Sequence, residues 1–332
     1  MNLNLEIIEI CGDSVIKINN AIFQSKRETR DVEIVQYNVN NEYPNLFNQI
    51  KEDEFEYYSG NILLVEVLKQ YFHNIIDVFP KILKLLDANE NFKVIFYTQD
   101  KLPSYRIIEQ NKYIFELIDQ LNIPYEFSKP ETRYFKLEYG YVFMQKQSFH
   151  WHTNRYNNND QFDPMHWLFS KFFIHQTSWK CKKHFGAIID LYRKYFYNKD
   201  IIPNKKIFIS RKDAYRRALD DSDVLENFFS SKGFEIICLQ EMPILEQINY
   251  FNNATHIAAL AGSSLTNIIF SNPKVQVLEI LSHEDFDPPE FVEFARWLDI
   301  DMKSVDFFGN ATEIVKQIQL SESSFIKRMI EQ

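Results

Sequence analysis

The stretch Thr255-His-Ile-Ala-Ala-Leu-Ala-Gly-Ser-Ser-Leu-Thr-Asn-Ile-Ile-Phe270 decides the fold class. An apolar run, Ile257 to Leu260, gives way to Ala261, Gly262, Ser263 and Ser264, and an apolar segment compatible with a helix starts at Leu265. That order predicts strand, tight loop, helix. In an open parallel sheet, the first helical turn after such a loop presents backbone N–H groups that no carbonyl of the helix occupies, and an anion such as a diphosphate can sit on them. Ser263, Ser264 and Thr266 add hydroxyl donors. The plain alternative is an ordinary strand-to-helix turn in which Gly262 and Ser263 only start the helix.

Outward from this loop the same alternation repeats. Lys206–Ser210, Phe234–Leu239, Val275–Leu281 and Ser304–Phe307 read as strands, and Asp223–Ser231, Ile244–Phe251, Phe291–Leu298 and Thr312–Leu320 as helices. Asp223 and Glu226 have the spacing of a capping box. Towards the N-terminus, Val15–Ile18 and Val32–Val35 read as short strands, and residues 62–86 as a helix kinked or restarted at Pro80, which lacks the N–H the ladder needs. Phe92–Tyr97 reads as a buried strand, Asn111–Leu121 as a helix, Phe135–Phe143 as a strand and Phe169–Tyr197 as a helix. Alternating strands and helices specify an α/β protein, and 332 residues suggest two domains.

Composition excludes several function classes. A formal charge of -9 argues against a nucleic-acid partner, while leaving room for a local basic pocket for one small anion. Three dispersed cysteines, Cys11, Cys181 and Cys238, form neither a CxxC pair nor a disulfide framework and fit a reducing compartment. The first residues carry no basic region followed by an apolar core, and no run is long and apolar enough to span a bilayer. The expectation is a cytoplasmic protein whose membrane association, if any, is peripheral. With only 7 glycines in the chain, each is expected at a backbone position that little else fits, which gives Gly262 added weight.

Four groups of residues carry chemistry. In a parallel sheet, ligands bind beyond the carboxyl ends of the strands where strand order reverses. If the Lys206–Ser210 strand is central, Arg211 and Arg216 reach the same crevice as the loop after Leu260, and arginine offers phosphate a bidentate fork whose charge persists at any working pH. Glu279, a lone carboxylate in an apolar strand, suits ribose hydroxyls, because a carboxylate inside a core is costly. Lys69, His73 and Asp77 follow at i,i+4 steps, so a carboxylate can orient an imidazole for proton transfer, or the three can be a solvated stripe. Trp151, His152 and Arg155, in an Asn-rich segment, can contact sugar hydroxyls or form a solvent-facing connection. His150, His152 and His166 lack the spacing of a metal site. Asp220-Asp-Ser-Asp223 and Asp299-Ile-Asp301 resemble a metal-chelating DxD, but neither closes a strand.

Several of these motifs occur in one order. Ile207-Phe-Ile-Ser-Arg-Lys-Asp-Ala-Tyr-Arg-Arg-Ala-Leu-Asp220, Gly233-Phe-Glu, Leu239-Gln-Glu-Met, Glu246-Gln-Ile, Ala261-Gly-Ser-Ser-Leu-Thr-Asn-Ile-Ile-Phe270 and Val277-Leu-Glu-Ile280 resemble glycosyltransferase family 61, as does Tyr71-Phe-His-Asn-Ile-Ile-Asp-Val-Phe-Pro80 in the first half. The resemblance covers roughly residues 60–90 and 200–285. It implies a GT-B fold, two Rossmann-like domains facing a cleft. Residues 1–175 would form the acceptor side, 176–203 a connecting helix and linker, and 204–332 the nucleotide-sugar-binding domain. It further implies an inverting enzyme with no required metal and no cofactor. A nucleotide sugar, commonly UDP-linked, would serve as donor, and a glycan or lipid-linked glycan as acceptor.

On that reading His73 and Asp77 supply the base. Arg211, Arg216, Gly262, Ser263, Ser264, Leu265, Asn267 and Glu279 hold the donor, and Trp151, His152 and Arg155 meet the acceptor. Where many members carry His-Gly-Ala-Gly, this chain has Ala261-Gly-Ser-Ser264. The serine version resembles the bacterial branch, which builds capsule or lipopolysaccharide sugars. A catalytically silent carbohydrate-binding or assembly protein of the same fold, and a GT-B enzyme with a non-UDP donor, are the alternatives.

Overall fold

The computed structural model describes residues 5–10, 13–25, 32–36, 55–67, 71–97, 109, 111–129, 132, 134–144, 182–212, 219–240, 242–282 and 290–331. The chain divides into two compact units, Met1–Ala187 and Ile188–Gln332. Both are built on sheets with parallel strands, so the chain is α/β. Among the described residues, no helix is long and apolar enough to cross a membrane.

In the first unit the strands are β1 (Leu5–Ile10), β2 (Asp13–Ser25), β3 (Val32–Gln36), β4 (Phe55–Glu66), β5 (Lys93–Tyr97), β6 (Tyr125–Phe127) and β7 (Tyr134–Met144). They lie in the order β1-β2-β7-β4-β5-β6, with β3 on β2. From β7 to β6 the pairing is parallel, and β1, β2 and β3 add an antiparallel flank. The chain steps outward from β4 through β5 to β6 and then returns to the other side of β4 as β7. Strand order therefore reverses between β4 and β7.

Residues 62–66 correct the sequence reading, because they belong to β4 and not to a helix. Ile62, Leu63 and Val65 are buried. A strand covered on both faces is a continuous apolar run, which periodicity cannot separate from a buried helix. The helical segment starts later, as α1 (Tyr71–His73), a π-helical stretch Asn74–Val78 and α2 (Phe79–Asp87). Pro80 stands in the first turn of α2, where a missing N–H costs least. It cannot donate to the carbonyl of Ile76, and the wider i→i+5 turn lies immediately before it. The helix α3 (Lys112–Gln120) connects β5 to β6 and ends at Asn122, whose φ is 55°.

The second unit begins within α4 (Lys182–Phe196). It contains β8 (Lys205–Ile209), α5 (Ser222–Ser231), β9 (Glu235–Ile237), α6 (Ile244–Asn253), β10 (Ala254–Leu260), the 3-10 helix Ser263–Phe270, β11 (Gln276–Leu281), α7 (Glu290–Trp297), β12 (Asp301–Asp306), α8 (Ala311–Leu320) and α9 (Ser324–Glu331). The sheet order is β12-β11-β10-β8-β9, parallel throughout. The segment after Gly262, expected as an α-helix, is a 3-10 helix, and α9 has no counterpart in the sequence reading.

One face of this sheet builds a core from Phe208, Ala258, Leu278 and Ile280 with Leu225, Phe229, Ile314, Ile318 and Met329 of the covering helices. The rings of Phe208 and Phe229 stack at 4.5 Å. At the end of α4, Phe270 meets Tyr192 and Phe196 edge-on at 5.5 and 5.9 Å. Asn252 fastens the same junction: its amide donates to Phe196 O and Ile248 O, and its carbonyl accepts from Asn198 N. Removing those partners leaves buried backbone groups unsatisfied. Asn252→Ala is therefore expected to lower the stability of the second unit by about 1–3 kcal/mol, read as a lower denaturant midpoint at unchanged slope. An unchanged midpoint would count against the role given to Asn252.

Candidate active site

Two strands that leave a parallel sheet in opposite directions set the position of the site. The chain runs from β8 outward to β9, then crosses back to β10 on the other side of β8 and continues outward through β11 to β12. The carboxyl ends of β8 and β10 therefore stand side by side at the reversal. β8 continues into Ser210-Arg211-Lys212, and β10 into Ala261-Gly262-Ser263.

Arg211 crosses this gap. Its Nη1 donates to Ala261 O at 3.1 Å. The guanidinium lies directly over Gly262, where a Cβ would fall 1.6 Å from Nη1 and 2.8 Å from Cζ. The backbone of Gly262, at φ 162° and ψ 172°, is extended and open to any residue. A side chain at this position would therefore push the guanidinium out of its place over the loop.

The first turn beyond Gly262 is tighter than expected. Leu265 N donates to Gly262 O at 3.0 Å, so the N–H groups of Ser263 and Ser264 lie ahead of the helical ladder and that of Leu265 lies within it. The hydroxyls of Ser264 and Thr266 are buried and have no hydrogen-bond partner among the described residues. Buried hydroxyls normally find one, so a polar ligand that supplies acceptors fits them. The side chain of Leu265 is buried in the core, and that of Asn267 is buried and donates to Gln247 Oε1 at 2.8 Å. Gln247 in turn donates to Leu239 O and Met242 O, so Asn267 and Gln247 tie the 3-10 helix to the segment after β9.

Both flanks of Arg211 are fastened to α5. Ser210 Oγ donates to Glu226 Oε1 at 2.6 Å and accepts from Lys212 N at 3.1 Å, while Lys212 Nζ reaches Asp223 at 2.7 Å. The Lys212–Asp223 pair is exposed and adds little energy. The half-buried Ser210–Glu226 bond is the stronger constraint on where Arg211 starts. Asp223 and Glu226 thus correct the capping-box reading: their one-turn spacing serves the β8 loop. A capping box does occur at Asn310 and Glu313, where α8 begins. Asp221, within the DxD-like run, accepts from Ala311 N and Thr312 N and caps that same helix, which holds its carboxyl below the usual carboxylate range.

Glu279 lies in β11 in register with Ala259 of β10 and Ser304 of β12. It is 1% exposed, and Ser304 Oγ donates to its carboxyl. Burial holds its pKa above the usual carboxylate range. Strand alternation turns it away from the face that carries Leu278 and Ile280.

In the first unit, His73 closes α1 and Asp77 lies in the π-helical stretch, on the segment that leaves the carboxyl end of β4 at that sheet's own reversal. Arg216, Trp151, His152 and Arg155, with His150 and His166, lie outside the described residues. Among the described residues, no group of three His, Cys, Asp or Glu side chains could hold a metal ion.

The profile of the family described as Glycosyltransferase 61 matches residues 71–278. That is more than half of the chain, and it spans both the His73–Asp77 segment and the Arg211–Gly262 contact. The chain belongs to glycosyltransferase family 61. It is therefore a glycosyltransferase, an enzyme that moves a sugar from a donor to an acceptor. No curated protein matches the chain. Within this family 61 enzyme, Ser210, Glu226 and Gln247 are the supporting residues that sequence reasoning missed. The available signal was the i,i+3 pair Asp223 and Glu226, attributed to a cap.

Two measurements test this geometry. Gly262→Ala should displace the guanidinium and weaken donor binding about as much as Arg211→Ala, with the double variant no weaker than either single one. Fully additive losses by calorimetry would separate the two residues. The raised pKa of Glu279 means that its stabilising contribution is complete below the usual carboxylate value and is lost as pH rises through the folded value. Glu279→Gln should therefore flatten the decline of melting temperature with rising pH, and an unchanged slope would assign that decline to other groups.

Proposed function

We propose that this family 61 enzyme is an inverting, metal-independent transferase. It would take a sugar from a nucleotide-sugar donor, with UDP as the nucleotide, to a hydroxyl of a glycan or lipid-linked glycan acceptor. The observation that carries the donor reading is Arg211 seated on Gly262 at the reversal of an all-parallel sheet, beside the first N–H groups of the 3-10 helix and the buried hydroxyls of Ser264 and Thr266, which have no hydrogen-bond partner among the described residues. Such a cluster suits a diphosphate, whose charge grows as the bond to the sugar breaks. A fixed guanidinium and oriented dipoles supply the compensating charge there, so the reading requires no metal. Glu279 lies in register with the last residues of β10, where a carboxyl group can exchange hydrogen bonds with ribose hydroxyls.

The acceptor side rests on His73 and Asp77, carried by the segment that follows the carboxyl end of β4. In the proposed reaction, His73 assisted by Asp77, or Asp77 itself, takes the proton of the acceptor hydroxyl. The acceptor oxygen attacks the anomeric carbon, the bond from that carbon to the diphosphate oxygen breaks, and nucleoside diphosphate leaves with the bonding electrons. One displacement inverts the anomeric centre. Trp151, His152 and Arg155 are proposed to meet the acceptor. The proposal includes the GT-B arrangement, a bacterial-type role in capsule or lipopolysaccharide assembly, and a cytoplasmic location with peripheral membrane association.

A thermal-shift screen over nucleotides should show UDP raising the melting temperature most, because a ligand that binds the native state stabilises it with the logarithm of its saturation. A larger shift with another nucleoside diphosphate would replace UDP as the donor nucleotide. His73→Ala and Asp77→Ala should each lower turnover by roughly 10²–10⁴-fold while UDP affinity holds. Wild-type turnover in both would sink the base assignment.

A further inference from the structure

The π-helical stretch between His73 and Val78 opens on a residue that no role above uses. Asn74 is 0% exposed, and its amide nitrogen donates to Asn111 Oδ1 at 2.9 Å and to Tyr113 Oη at 2.7 Å. Tyr113 donates onward to Asn111 Oδ1 at 3.0 Å, which closes a triangle of buried polar groups. Asn111 is 2% exposed and stands at the start of α3, where its carbonyl accepts from Ile114 N. The rings of Tyr71 and Tyr113 pack at 4.6 Å, so the residues on either side of Phe72 and His73 are held by the same tyrosine. Burial pushes the Tyr113 hydroxyl well above the usual phenol range and keeps it a donor.

Burying two amides and a phenol is unfavourable unless every one is satisfied, and an apolar residue at 74 would fill the space without that risk. What the triangle adds over apolar packing is fixed geometry. A π-helical turn bonds i→i+5, is rare, and occurs frequently at functional sites. Here the residue that supports it sits between the two residues assigned to proton transfer, and the anchor comes from α3, which is remote in sequence.

We propose that Asn74, Asn111 and Tyr113 are positioning residues that lock the π-helical turn and thereby fix the approach of His73 and Asp77 to the acceptor hydroxyl. This rests on the base assignment made under Proposed function. None of the three touches the reacting atoms. Their contribution is expected in turnover and not in donor binding, which lies in the second unit.

The test compares Asn74→Leu and Tyr113→Phe in the full chain, reading UDP release from a panel of UDP-sugars, UDP affinity by calorimetry, and melting temperature. Tyr113→Phe keeps the ring contact with Tyr71 and removes only the hydroxyl, so it stays informative if Asn74→Leu fails to fold. Each folded variant is expected to lose about tenfold in kcat while donor KM and UDP affinity stay at wild-type values, the pattern of an interaction used only in the transition state. A loss in KM alone, or wild-type kcat in a folded variant, overturns the proposal. If His73→Ala and Asp77→Ala are inactive while Asn74→Leu and Tyr113→Phe turn over normally, positioning fails and the base assignment survives. If the alanine variants are themselves fully active, both fail.

Discussion

The reversal of strand order between β8 and β10 is the constraint on which the candidate site depends. Parallel strands need crossovers, and crossovers that lead to opposite sides of one strand leave the ends of two neighbours without a shared connection. Into that gap the chain places one long cation and one glycine. Arg211 bridges the gap through Ala261 O, and its guanidinium occupies the space that a side chain at Gly262 would take. The hydrogen bond from Arg211 to Ala261 spans 50 positions of the chain and sets the guanidinium over Gly262.

Support for this contact comes from ordinary structural bonds. Ser210 and Lys212 hold the start of the β8 loop to α5, Asp221 fastens the start of α8, and Gln247 with Asn267 ties the 3-10 helix to the segment after β9. Such bonds consume residues that looked chemical in the sequence. Asp221 belongs to a run resembling a metal chelator, yet it caps a helix. Asn267, assigned to the donor by resemblance, also donates to Gln247. Acidic and amide side chains at helix starts satisfy backbone or neighbouring groups that would otherwise be left without partners, and sequence spacing cannot distinguish that use from ligand binding.

The first unit repeats the principle with different chemistry. Its reversal lies between β4 and β7, and the segment leaving β4 carries His73 and Asp77 on a turn that departs from α-helical geometry before Pro80. The proline accounts for the place of the irregularity, and Asn74 with Asn111 and Tyr113 accounts for its being held.

Much of the architecture was legible from periodicity and turn chemistry: the second unit's strands and most of its helices fall where alternating apolar runs and small-residue loops placed them. The segment 62–66 was misread because a strand buried on both faces has no alternation to show. The resemblance in Arg211, Gly262 and the His73–Asp77 segment also led to family 61, as the profile over residues 71–278 shows. Sequence alone determined which residue types lie at strand ends, because those follow from local pattern. Only the tertiary structure decided that Arg211 rests on Gly262, that Glu226 serves the β8 loop, and that Asn74 finds Asn111 and Tyr113. Those pairings depend on the order of strands in the sheets and the packing of remote helices, and a hydrogen bond between distant residues leaves no spacing in the chain to be read.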